Sequence, residues 1–79
     1  MDLKQYVKEA LDEVGLRVES YEVDGNKVNL KLRSRSGKQT HDIYYSFDED
    51  GHWSRSMAYH GETGADLFGD AVSKRIRNK

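Results

Sequence analysis

A chain of 79 residues makes one domain, which buries roughly 60% of its unfolded surface, so it holds one modest core and not two. Hydrophobic residues are 35% and charged residues 34%, too rich in Tyr, Leu and Val for disorder, and a net charge of −1 argues against a whole-surface nucleic-acid binder. The lack of cysteine excludes disulfides and thiolate zinc sites, no apolar run approaches a membrane span, and Met1-Asp2-Leu3 lacks the basic start and apolar core of a signal peptide, so a cytoplasmic location is expected.

Leu3, Tyr6, Val7, Ala10, Leu11 and Val14 recur at helical spacing and predict an amphipathic helix from Asp2 to Val14. Asp2 suits its N-cap with Gln5 reaching back, and Gly15 suits the C′ position, with Leu16 covering the last turn. From Leu16 to Val23 the alternation changes phase: Leu16 and Val18 share one face, Tyr21 and Val23 the other. A strand with a bulge near Glu19-Ser20 accounts for that change. The turn Asp24-Gly25-Asn26-Lys27 then brings Val23 near Val28 and Tyr21 near Leu30.

Val28, Leu30 and Leu32 alternate with Asn29, Lys31 and Arg33, the period of a strand with one buried face. A two-residue loop at Ser36-Gly37, pairing Arg35 with Lys38, sets Leu32 opposite His41, Leu30 opposite Ile43 and Val28 opposite Tyr45. On the other face Lys31 meets Asp42 and Asn29 meets Tyr44. The faces agree, and a one-residue slip would turn every side chain over. Asp48-Glu49-Asp50-Gly51 suits a three-residue loop with glycine in the left-handed region. The inward set then pairs Phe47 with Trp53, Tyr45 with Arg55, Ile43 with Met57 and His41 with Tyr59. Arg55 is the charged member of an otherwise apolar face, its stem packing while the guanidinium reaches the rim.

After Tyr59 the period is lost, and Thr63 followed by Asp66 marks a second helix start. Leu67, Phe68, Ala71, Val72 and Ile76 give its apolar stripe. Gly69 lies beside the stripe at a cost of about 1 kcal/mol in helix propensity, which a close crossing with the sheet or first helix offsets. The expected fold is a single α+β domain over 1–79, αββββα, a four-stranded antiparallel meander with both helices on one face.

Catalytic and metal motifs are not in evidence. His41 and His52 fall on opposite faces and His60 in a loop, so the histidines share no apex. Asp48 to Gly51 echo a calcium loop, but Tyr59 stands where an EF-hand needs its bidentate glutamate. Ser54 and Ser56 near His52 are commonplace on a strand, and Glu62 between Gly61 and Gly64 opposes phosphate. The expectation is a non-enzymatic chain with no cofactor and no metal.

Charge is segregated along the chain. Lys27, Lys31, Arg33, Arg35 and Lys38 occur with no acid among them, Asp42, Asp48, Glu49 and Asp50 follow with no base, and Lys74, Arg75, Arg77 and Lys79 close the sequence. The uncovered sheet face should carry Asn29, Lys31, Arg33, Thr40, Asp42, Tyr44, Ser46, Ser54 and Ser56. Lys31, Arg33, Arg35, Lys38 and Tyr44 are the candidate partner-binding residues. Tyr44 would anchor a protein partner, since Tyr and Arg are enriched in interfaces, or stack a nucleic-acid base while the cations meet phosphates.

The helix–strands–helix order resembles the double-stranded RNA-binding domain, over most of the chain and by element order alone. That family's Gly-Pro-x-His loop is here Asp24-Gly25-Asn26-Lys27, and its lysine-rich start to the last helix is here Asp66 and Asp70, so no residue role is carried over. The functional expectation is a small binding or regulatory protein acting on an unidentified protein partner, with no membrane role. Nucleic-acid binding through the same hairpin is the alternative, and self-association along a sheet edge the third.

Overall fold

The computed structural model describes residues 2–33, 37–56 and 62–78. Its first helix, α1 (Leu3–Val14), begins where the Asp2 side chain accepts the Gln5 N–H at 3.4 Å. Gln5 does not reach back as expected; its amide bonds Glu9 at 2.9 Å instead, because the next turn of the same helix face offers a carboxylate. Gly15 ends the helix at φ 66°, and both its N–H and that of Leu16 reach the Leu11 carbonyl.

Four strands follow, β1 (Ser20–Asp24), β2 (Lys27–Arg33), β3 (Thr40–Phe47) and β4 (Trp53–Arg55), in one antiparallel sheet of order β1-β2-β3-β4. Every expected pairing that lies within the described residues is present. Val23 faces Val28 and Tyr21 faces Leu30; Leu30 faces Ile43, Lys31 faces Asp42 and Leu32 faces His41; Phe47 faces Trp53 and Tyr45 faces Arg55. Glu19 donates to the carbonyl of Lys31, the residue already opposite Ser20, so two residues face one and the bulge lies where the phase change put it. Gly51 has φ 91° and donates to the Asp48 carbonyl, as the longer loop requires. Gly37 is left-handed at φ 74°, whereas the Arg35–Lys38 pair lies outside the described residues, as do Met57 and Tyr59.

The last element, α2 (Glu62–Arg77), starts one residue ahead of Thr63, whose expected capping side chain lies outside what the structure describes. Both helices cover one face of the sheet. Val28, Leu30, Ile43, Tyr45 and Phe47 meet Leu3, Val7, Ala10 and Leu11 of α1, and Ala65, Phe68, Val72 and Ile76 of α2, in one core. The stripe of α2 is rolled relative to expectation: Leu67 is 51% exposed, while Gly69 and Ser73 are buried. The cause is contact with the β3–β4 hairpin. A Cβ on Gly69 would come within 2.5 Å of the Trp53 ring, and the Ser73 hydroxyl donates to the buried Gly51 carbonyl. Only small side chains fit there, so the roll that seats them turns Leu67 outward. Arg55 reaches the rim as anticipated, donating to Asp66 of α2 at 2.8 Å.

Candidate functional site

Strand alternation leaves the face opposite the helices open, and Tyr44 stands in it at 58% exposure. It lies on β3, which is paired on both sides, with its N–H donated to the Ser56 hydroxyl at 3.0 Å and its carbonyl accepting the Ser56 N–H at 2.9 Å. Its backbone is therefore fixed before any partner arrives. Across from it Asn29 donates to the Asp42 carboxylate at 3.3 Å. A shallow depression beside the ring is bordered by Glu22, Asp24, Lys27, Asn29 and Ser46.

Two of those neighbours, Glu22 and Asp24, are absent from the sequence-based face, which placed Tyr44 among basic and hydroxyl groups. They come from β1, the strand whose phase is broken by the bulge. Counting alternation from the Asp24-Gly25-Asn26-Lys27 turn rather than from Leu16 would have found them.

The cations do not form one field. Lys31 is exposed on β2 opposite Asp42. Arg33 is ion-paired with Glu19 and also donates to the Gly37 carbonyl at 2.9 Å. The hydrogen bond from Arg33, reinforced by its charge, holds the Glu19 carboxyl below the usual carboxylate range. Lys38 is exposed in the connection between β2 and β3, and Arg35 lies outside the described residues. The structure thus brings Lys31, Arg33 and Tyr44 onto neighbouring strands while interleaving acids among them.

Asp48, Asp50 and His52 gather in the β3–β4 turn with ligand atoms within 4.8 Å of one another, all exposed. Sequence reasoning compared the histidines with each other and so missed this grouping. Its geometry is that of a turn: Asp48 Oδ1 accepts the N–H groups of Asp50 and His52, each at 2.9 Å, and Oδ2 lies 3.2 Å from the His52 ring. Partial desolvation pushes the Asp48 carboxyl up, but these donors together outweigh it and hold the group below its ordinary value. His41 lies on the inner face opposite Leu32, and His60 is outside the described residues. Between the helices, Arg75 bridges Glu9 at 3.1 Å and Glu13 at 2.8 Å, which clamps α2 to α1. No described helix is long and apolar enough to cross a membrane.

Comparison with protein-family models, curated proteins and solved structures gives no match.

Proposed function

We propose that this α+β domain acts by binding rather than catalysis, engaging a protein partner through the open sheet face with Tyr44 as anchor and Lys31, Arg33, Arg35 and Lys38 around it. The observation that carries the reading is the exposure of Tyr44 on a doubly paired strand. An aromatic on an ordered strand has no backbone freedom left to lose on binding, and Tyr contributes large amphipathic contact area in interfaces. Nucleic acid is less favoured. Phosphates are bound by unopposed cations, whereas Glu19 occupies Arg33 and Glu22, Asp24 and Asp42 share the face.

The test is affinity capture with the wild-type chain and with Tyr44→Ala, under nuclease treatment and read by mass spectrometry, beside titration of labelled single- and double-stranded DNA and RNA at low salt. A protein retained by the wild type and lost from Tyr44→Ala supports the reading. Capture indifferent to Tyr44, or salt-sensitive nucleic-acid binding at micromolar protein, overturns it.

A further inference from the structure

β1 pairs with β2 on one side, and among the described residues no strand pairs with the other. In an antiparallel ladder successive residues turn their N–H and C=O groups to alternate sides. The Glu19–Lys31 bond at the Ser20 pair shows that Ser20, Glu22 and Asp24 turn theirs toward β2. Tyr21 and Val23 therefore turn theirs outward, where no described group meets them. Their side chains point to the inner face but are only half-buried, whereas Val28, Leu30 and Ile43 further in are fully covered. On the outer face the strand carries Glu22 and Asp24, neither in a described ion pair, and no base.

We infer that the free edge of β1 is a docking site for an extended segment of a partner protein in which basic residues alternate with apolar ones. The outward N–H and C=O groups of Tyr21 and Val23 call for extended backbone. The half-covered side chains of the same two residues call for apolar groups on the inner face of the added strand. Glu22 and Asp24 call for Lys or Arg on its outer face, since opposite charges favour a cross-strand pair and like charges oppose it. The occupied side of β1 shows part of this match: Lys27 of β2 lies opposite Asp24 and Asn29 opposite Glu22, with Val28 and Leu30 opposite Val23 and Tyr21. A second copy of the chain is a poor occupant, because the antiparallel register that pairs all of β1 with itself sets Glu22 against Glu22, and every register leaves the acids of both copies without a base on the facing strand. The outward backbone of β1 is separated from Tyr44 on β3 by the width of β2, although the side chains of Glu22 and Asp24 also border the depression beside the Tyr44 ring.

A peptide with the sequence of residues 27–33, Lys-Val-Asn-Leu-Lys-Leu-Arg, tests the edge when titrated into the isotopically labelled full chain and followed by NMR. Amide shifts and slowed hydrogen exchange at Tyr21 and Val23, with the Tyr44 amide unmoved, are expected. The same peptide carrying Lys27→Glu, Lys31→Glu and Arg33→Glu should bind about tenfold more weakly, as cross-strand attractions become repulsions. The chain carrying Glu22→Lys and Asp24→Lys, exposed positions on the outer face of β1, should reverse that preference. Unmoved Tyr21 and Val23 amides at millimolar peptide, equal binding of the acidic peptide, or perturbation confined to the β2 amides by strand exchange would each overturn the inference. Loss of Tyr44-dependent partner capture leaves this result untouched, so the two proposals fail separately.

Discussion

On the β4 side of the sheet Trp53 lies against Gly69, and Tyr45 packs between Phe47 at 5.9 Å and Phe68 at 5.0 Å between ring centroids. On the β1 side Tyr21 and Val23 are half-buried and their outer backbone groups meet no described partner. Both sides are built from the same alternation of apolar and polar residues, yet one is closed by interlocking aromatic and small side chains and the other is open. The difference separates two uses of hydrophobic surface. Where large and small residues interdigitate, dispersion contacts and excluded volume make one arrangement far better than its neighbours. Where an inner side chain lacks a neighbour, the same alternation leaves surface for a partner.

The comparison breaks first, if it breaks, at Phe68. Phe68→Ala should cost roughly 3–5 kcal/mol, because the ring is fully buried against Tyr45, while Tyr21→Ala should cost nearer 1 kcal/mol. Equal shifts in the urea midpoint would mean the two sides are packed alike.

Gly69→Ala sharpens the contrast through its sign. Alanine gains about 1 kcal/mol in helix propensity, but its Cβ would overlap the Trp53 ring, and overpacking of this kind costs roughly 1–3 kcal/mol. Net destabilisation is expected in the wild-type background, and stabilisation when Trp53→Leu is also present. Stabilisation by Gly69→Ala alone would show that α2 does not sit on Trp53.

Two glycines with positive φ should separate in the same way. Gly51→Ala carries the left-handed strain of about 1–2 kcal/mol and places a Cβ 2.7 Å from Arg77 Cγ. Gly37→Ala carries the strain without such an overlap, since among the described residues the nearest atom is Arg33 Cδ at 4.0 Å. The midpoint should therefore fall further for Gly51→Ala, and a larger fall for Gly37→Ala would contradict the packing of α2 on the turn.

Burial pushes the Tyr45 hydroxyl well above the usual phenol range, with the Arg55 charge working against it, while the hydroxyl donates to the Ala65 carbonyl at 2.9 Å. Because the folded value is raised, the folded state holds its proton more tightly, so the stability from this group is intact below about pH 10 and declines above it. Tyr45→Phe should lower stability at neutral pH by about 1 kcal/mol through loss of the hydrogen bond, and flatten the alkaline decline seen by urea titration between neutral and strongly alkaline pH. An unchanged alkaline slope would place that titration elsewhere.

The smallest effect on stability is expected at the open face. Tyr44→Ala should stay within about 0.5 kcal/mol of the wild type, as exposed positions usually do, while abolishing partner capture. A shift of several kcal/mol would make Tyr44 a packing residue rather than an anchor.

Much of this architecture was legible in the residues themselves. The apolar period of Val28 to Arg33, the glycines at 25, 37 and 51 and the cap at Gly15 determined the element order and the three strand registers, because a register with one buried face tolerates no slip and a left-handed turn residue needs no distant contact. The tertiary structure alone decided the roll of α2, the pairing of Arg33 with Glu19, and the presence of Glu22 and Asp24 beside Tyr44. Small residues such as Gly69 and Ser73 carry no hydrophobic signal of their own; their burial follows from the Trp53 ring and the Gly51 carbonyl that face them. A long charged side chain likewise takes whichever partner the fold brings within reach, and the carboxylate that pairs with Arg33 lies fourteen residues away in sequence.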